Sequence, residues 1–278
     1  MTIDGIGADL ADLSSRIAAR GCRLGQPVHL LAATGSTNDD AKAGARQGAA
    51  HGTLWVAETQ SRGRGRQGRT WVSPPGENLL FSVLVRVACA PARVPPLSLV
   101  CGLAVRDAVA KAIGEGGERV MVKWPNDVVI RETIGGATAR FRKVAGILVE
   151  SALTGSKVEH IVIGIGVNVH TRELPDELGA IATSIARETS RAPDRAEVLT
   201  DILVGLDRDI ELAAQRGLAF VHARLTAHDA LNGRAIESED GSVSGVGCGI
   251  DVDGRLMLRR ADGVVTKIAS GEMRVRAV

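Results

Sequence analysis

Hydrophobic positions fall along this chain in blocks whose period changes from one element to the next. Leu10, Leu13 and Ile17 recur at helical spacing among alanines, and Gly21 supplies a stop. Val28 to Ala33 predicts a short buried strand, and the polar turn from Thr34 to Asp39 leads into an alanine-rich helix ending near Gln47. Thr53 to Ala57 predicts a second strand, and Asn78 to Val87, long and β-branched, predicts a central one. Pro95 and Pro96 introduce a helical run from Leu97 to Ile113 that stops at Gly114. Val120 to Ile130 reads as one strand kinked at Pro125, which lacks a ladder N–H, so that Asn126 and Asp127 are aimed somewhere specific. Arg131 to Arg142 reads as a loose hairpin loop around Gly135-Gly136.

Lys143 to Glu150 and His160 to Val169 predict two more strands, in which Gly146, Gly164 and Gly166 leave room for close packing or for a ligand. Leu174 to Ser190 is irregular and partly helical. Arg195 to about His228 predicts one or two amphipathic helices, with Val198, Leu199, Ile202, Leu203 and Leu206 on one face. Asp240-Gly241, Asp253-Gly254 and Asp262-Gly263 then separate short alternating segments, a hairpin signal that makes the end of the chain a small all-β barrel. The expected class is α+β, with one domain over 1–228 and a second over 229–278.

One stretch follows neither period. Arg62, Arg64, Arg66 and Arg69 alternate with Gly63, Gly65 and Gly68, and no apolar residue intervenes before Trp71. Such a loop (61–71) buries nothing of its own. Its glycines let the main chain approach a ligand, and its guanidinium groups match carboxylate or phosphate oxygens. Other polar residues have ordinary readings when taken singly. Ser36, Thr37 and Asn38 suit a helix N-cap as well as the polar head of a small ligand. Lys123 and Lys143 at strand ends are usually solvated, Asn126-Asp127 is a common turn, and a lone Asn168 is most often a backbone partner. Together with a loop that has no role in a core, they point to a site for a polyanion such as a nucleotide. Gly63, Gly65 and Gly68 have dinucleotide-motif spacing, but arginines at the variable positions and no helical run after them argue against that motif. There is no GxxxxGK[ST] phosphate loop either.

Composition narrows the class without naming it. The 278 residues are 45% hydrophobic and 24% charged with a net charge of +2, so any attraction for anions is local to the loop. With no tyrosine and few aromatics, the core is aliphatic. Cys22, Cys89, Cys101 and Cys248 form no CxxC pair and are joined by no paired histidines, which argues against zinc and for reduced thiols in a cytoplasmic protein. The longest apolar run is far short of the ~20 residues of a membrane helix. A nucleic-acid-binding module with a flexible basic arm is the alternative of a different class. The rest of the chain offers it no basic face and few aromatics for stacking.

Gly63-Arg-Gly-Arg-Gln-Gly-Arg-Thr-Trp71, Lys123-Trp-Pro-Asn-Asp127 and Lys143-Val-Ala-Gly-Ile-Leu-Val-Glu150, in this order, resemble the biotin protein ligases. Ser36-Thr-Asn38 upstream and Ile163-Gly-Ile-Gly-Val-Asn168 downstream fit the same family, and Gly271-Glu272 with Arg276 resembles its closing motif. Lipoate ligases share the fold without this set of motifs and stand as the same-fold alternative. The resemblance implies a catalytic domain similar to class II aminoacyl-tRNA synthetases, a mixed sheet with helices, followed by an SH3-like barrel. Family members that repress transcription carry an N-terminal winged-helix domain. The 35 residues before Ser36 read as one helix and a strand, so neither that domain nor specific DNA binding is expected.

The chemistry implied is biotin activation by MgATP to biotinyl-5′-AMP, then transfer to a lysine of a biotin carboxyl carrier protein. By resemblance, Ser36, Thr37, Asn38, Gln60, Gly63, Arg64 and Arg66 surround biotin, and Gly146 and Gly164 let its rings lie against the sheet. Lys143 holds the carboxylate, and Lys143, Arg66 and Asp127 form the catalytic set. Trp71 and Asn168 take adenine, while Arg66, Arg69, Asn126 and Arg276 face the nucleotide. Asp127 is the candidate for Mg²⁺, reached through phosphates, and for deprotonating the incoming lysine. ATP, Mg²⁺ and biotin are the small molecules expected, with no zinc or haem, no membrane, and a monomer or weak homodimer. Gln67, Arg62 and the long stretch from Arg131 to Arg142 depart from the family pattern.

Overall fold

Nearly every predicted strand falls into one of two sheets. A computed structural model describes residues 5–134, 138–174 and 176–276 of the chain. The larger sheet contains β1 (Val28–Leu31), β2 (Leu54–Ala57), β3 (Leu79–Val85), β4 (Val120–Lys123), β5 (Asp127–Ile134), β6 (Thr138–Thr154) and β7 (Lys157–Val167). Its spatial order is β1-β2-β3-β7-β6-β5-β4, with β1 and β2 parallel and all other neighbours antiparallel. The helices are α1 (Leu13–Ala19), α2 (Thr37–Arg46), α3 (Leu97–Ile113), two short turns α4 (Asp176–Gly179) and α5 (Ile185–Glu188), α6 (Arg195–Arg216) and α7 (His222–Ala227).

The sheet has two unequal faces. One is covered by α3 and α6, which bury Leu99, Val100, Leu103, Leu199, Ile202 and Leu206 against Val83, Ile147, Ile163 and Ile165. The other is covered only in part, where α2 lays Ala41 and Ala45 over Trp55, Leu84 and Val162. Strand β3 therefore has apolar cover on both sides, and all of Leu79–Val85 is buried, as expected of a central strand. Toward β6 and β5 the second face has no helix. The long connection from β2 to β3, which contains the arginine–glycine loop, crosses it there.

Two expectations need correction. Val120 to Ile130 is not a kinked strand. The chain reverses at Trp124-Pro-Asn, so that β4 and β5 pair antiparallel with Lys123 opposite Asp127. A proline without an N–H followed by Asn is turn chemistry, and it wins over the apolar residues on either side. Nor is Arg131 to Arg142 a loose loop. The strands pair through it, Arg131 with Phe141 and Glu132 with Arg140, and its expected tip at Gly135-Gly136 lies outside the described residues. Helix α2 also begins at Thr37, two residues earlier than read.

The second sheet follows the Asp-Gly punctuation closely. It holds β8 (Ala235–Ser238), β9 (Ser244–Ile250), β10 (Leu256–Arg259), β11 (Val265–Ile268) and β12 (Met273–Val275), antiparallel in the order β11-β10-β9-β8-β12. Gly241, Gly254 and Gly263 have φ of 70°, 81° and 83°, the left-handed region that tight turns ask of glycine. Two contacts seat this sheet on the larger one. The Trp124 indole donates to Gly254 O at 3.0 Å. The linking segment lies along β4, with Val122 N donating to His228 O at 2.8 Å and Ala230 N to Val122 O at 2.9 Å.

Candidate active site

The uncovered face of the sheet is paved with glycine. Gly146 and Gly166 are cross-strand partners on β6 and β7, and Trp71 lies flat on both. A Cβ at Gly166 would come within 2.6 Å of the indole, and one at Gly146 within 2.9 Å. Gly164 opens the sheet to a side chain instead: its Cβ position is 1.9 Å from Asn38 Oδ1. The indole N–H of Trp71 is buried without an acceptor.

Lys143 reaches the same face because β6 carries a bulge. Ala145 pairs with Val128 but Lys143 with Val129, so Val144 is an extra residue in the ladder. Val144 and Ala145 both turn into the core, which puts Lys143 and Gly146 on one face although they are three residues apart. The Lys143 ammonium lies 5.4 Å from the Trp71 ring centroid and 2.7 Å from Asp127 Oδ1. That last contact is an ion pair that sets the ammonium against the buried Oδ1.

Beside the glycines stands a polar wall. Ser36 occupies the N-cap position of α2, yet its side chain makes no capping bond. The Thr37 N–H goes instead to Gln60 Oε1 at 2.8 Å, so capping does not account for this trio. Ser82, fully buried in β3, donates to Thr37 Oγ1 at 2.8 Å or Asn38 Oδ1 at 2.6 Å. The Asn38 amide continues to Glu150 at 2.7 Å. Ser82 and Glu150 were not among the sequence candidates. The one signal for Ser82 was a lone hydroxyl within an otherwise apolar strand.

The arginine–glycine loop folds on itself, with Gly65 N donating to Arg69 O at 2.7 Å and Trp71 N to Gly63 O at 3.0 Å. Gln67, with φ 55°, is the one non-glycine residue in the left-handed region among the described residues. Three of its arginines find a carboxylate or amide on another element. Arg64 reaches Asp39 and Glu150 at 2.8 and 3.0 Å, Arg66 reaches Asn126 and Glu272 at 3.3 and 3.4 Å, and Arg69 reaches Glu239 at 2.5 Å. Ion pairs this exposed contribute little singly, so the loop is held closed by contacts that are cheap to open. They also engage the cations that a free basic arm would present to nucleic acid.

Two clefts meet over this face. The first, about 780 Å³ including the solvent at its mouth, is walled by the polar trio, Gln60, Arg64 and the glycines. The second is walled by Asn168, Lys123, Phe141, Ile181 and Arg276. They share Arg69, Thr70, Trp71, Asp127, Lys143 and Glu272, which form a waist. Most of the predicted residues are thus brought together. Gly63 lines neither of these two clefts and holds the loop instead, since a Cβ there would strike Trp71 O at 2.4 Å. The Asn168 amide donates to Thr183 O at 3.0 Å, and Asn126 to Ile147 O at 2.8 Å. Arg276, half exposed, pairs with Glu237 at 3.5 Å.

Among the described residues, no three His, Cys, Asp or Glu side chains converge to hold a metal. A magnesium ion commonly takes only one or two carboxylates together with substrate phosphates. The Asp127 carboxylate, at the waist shared by the two clefts, is the group that fits this. No helix among the described residues is long and apolar enough to cross a membrane.

Residues 31–168 match the Biotin/lipoate A/B protein ligase family. The chain is 36% identical over 238 residues to the biotin--[acetyl-CoA-carboxylase] ligase of Paracoccus denitrificans, covering 83% of this chain and 93% of that one. It is 33% identical over 228 residues to the bifunctional ligase/repressor BirA of Escherichia coli, covering 81% and 67%. Among solved structures, the biotin protein ligase from Aquifex aeolicus in complex with biotin and ATP superposes with a TM-score of 0.73 at 28% identity. That match covers 91% of this chain and 100% of that one.

Proposed function

The chain belongs to the biotin/lipoate A/B protein ligase family, and on that premise we propose that it activates biotin with ATP and transfers it to a carrier-protein lysine. The observation that carries this reading is the waist, where one lysine stands between a polar, glycine-floored cleft and a second cleft lined with cations. Biotin's rings fit the first cleft, with Ser36, Thr37 and Gln60 at its polar end and its carboxylate toward Lys143. The adenylate portion of ATP fits the second, beside Asn168 and Trp71. A carboxylate oxygen then attacks the α-phosphorus, a P–O bond to pyrophosphate breaks, and biotinyl-5′-AMP forms.

This step brings anion to anion, so preplaced cations lower its barrier. Lys143, Arg66 and Arg69 stand at or beside the waist, with Arg276 farther along the second cleft. Magnesium, bound to the phosphates and to Asp127, would supply further charge neutralisation. In the second step the carrier lysine's neutral amine attacks the acyl carbon and AMP leaves with the bridging oxygen. Lys143 holds the carbonyl oxygen and Asp127 accepts the amine's proton. The loop excludes water from the mixed anhydride until the carrier arrives.

The same reading assigns residues 1–228 to a catalytic unit similar to class II aminoacyl-tRNA synthetases and 229–278 to an SH3-like barrel. It makes a biotin carboxyl carrier domain the partner and the cytoplasm the compartment, with the protein a monomer or weak homodimer. ATP–pyrophosphate exchange tests the activity. Exchange should require biotin, should not run on lipoate, and should fall by about a hundredfold or more in Lys143→Ala with the fold retained. Exchange without biotin, or undiminished in that variant, would overturn the assignment.

A further inference from the structure

The loop that crosses the site has a neck. It leaves β2 at Glu58 and returns at Asn78, immediately before β3, and Gly76 N donates to Glu58 O at 3.3 Å. One side chain reaches both sides of this neck: Arg195, the first residue of α6, only 2% exposed. Its Nη1 donates to Glu58 Oε2 at 2.6 Å and to Asn78 O at 3.3 Å, and its Nη2 to Glu58 Oε1 at 3.0 Å. Asp9, from the segment before α1, accepts from Nε at 2.8 Å and from Nη2 at 2.7 Å. The Gly7 N–H donates to Glu58 Oε1 at 2.8 Å, and a Cβ at Gly7 would lie 2.3 Å from Nη2.

Asp9, Glu58 and Arg195 line neither cleft. Apolar side chains of similar volume commonly hold a core at least as well as a buried ion cluster, so stability alone is a weak account of this one. What the cluster does fix is geometry, because a planar guanidinium with every nitrogen engaged permits one arrangement of its partners. The return side of the neck is tied as well. Asn78 Oδ1 accepts from Val169 N at 2.8 Å, and His170 N donates to Glu77 O at 2.9 Å, joining it to the segment that carries Asn168.

We propose that Arg195 and Glu58 are positioning residues for the ligase reaction. They clamp both roots of the arginine–glycine loop so that Arg64, Arg66 and Trp71 close on the site in one geometry. The effect on activity rests on the ligase reading; the effect on loop opening does not. The test uses the full chain and a matched pair, Glu58→Gln and Asp9→Asn. Each removes one carboxylate charge from Arg195, but only Glu58 stands at a loop root.

Trypsin cleavage between Arg62 and Arg69 reads loop opening without any ligand. Glu58→Gln should be cut about tenfold faster than wild type, as a larger open population implies. It should raise KM for biotin in the exchange reaction more than it lowers kcat. Arg195→Lys, which keeps the charge but cannot span Glu58 and Asn78, should follow it. Asp9→Asn should stay within about twofold of wild type even where its loss of Tm matches that of Glu58→Gln. Cleavage that rises in both variants in proportion to lost Tm would show a purely structural cluster and overturn the proposal. So would a folded Glu58→Gln cut at the wild-type rate. If Glu58→Gln does not fold, the same comparison is decided by Arg195→Lys. Wild-type protein without biotin-dependent exchange would sink the ligase reading alone, and the cleavage comparison would still decide the clamp.

Discussion

Ser82 illustrates how a single atom organises the pocket. Its hydroxyl is fully buried in β3 beneath Thr37 and Asn38, and without it those two side chains lose the group that fixes their rotamers. Ser82→Ala should cost about 1–3 kcal/mol of stability, since a buried acceptor is left unmade. It should also raise KM for biotin on the order of tenfold with little change in kcat, because the lost interactions serve binding alike in ground and transition states. Steady-state kinetics with a urea titration check both. At this scale the sequence was legible where residue types were unusual in company, as in the arginine–glycine run or Lys123-Trp-Pro-Asn-Asp. It was silent where an ordinary residue acts through a neighbour. Glu150 looks like any strand-end carboxylate, yet it receives Asn38, Lys42 and Arg64.

Among the elements, the arginine–glycine loop behaves as a strap fastened at several weak points. Arg66 joins it to Asn126 in the β4–β5 turn and to Glu272, the residue just before β12. Replacing Arg66 by glycine removes one of these weak points, worth about 1 kcal/mol at most, so biotinyl-5′-AMP should escape up to about fivefold faster. A filter-binding measurement of retained adenylate reads this directly, and unchanged retention would remove the loop's sealing role. The same scale holds the main misreadings. Apolar residues on both sides of Pro125 looked like one strand, because a tight reversal leaves the same pattern as a kink. The charged stretch from Arg131 to Arg142 looked like a loop because it has Gly135-Gly136 at its middle and carries arginine where strands usually carry valine. The three Asp-Gly turns were legible because the backbone angles they require exclude most other residues.

For the whole molecule, the joint between the sheets carries a buried charge. Asp229 accepts Leu231 N with one oxygen while the other has no partner, and burial pushes its pKa up to about 6 from an ordinary 3.8. Between those two values the folded chain holds a proton that the unfolded chain has lost, so this group's contribution falls as pH rises through that window. Asp229→Asn keeps an acceptor for Leu231 and removes the titration. Its stability relative to wild type should therefore grow between pH 4 and pH 7, by at most about 3 kcal/mol. Melting temperatures that stay a constant distance apart across that range would contradict this. The overall α+β arrangement could be read from periodicity alone, but the relation of its parts could not, since nothing in the sequence places Val122 beside Ala230. Nor did it reveal the extra residue in β6, because Lys143-Val-Ala-Gly reads as plain strand. That residue makes the chemistry a question of parity. In a regular strand two side chains three residues apart point to opposite faces, so if the extra residue moved along β6 to a place outside 143–146 the ladder could still pair along its length, but Lys143 and Gly146 would part to opposite sides of the sheet. A strand offers no partial version of that change, so no graded loss is available.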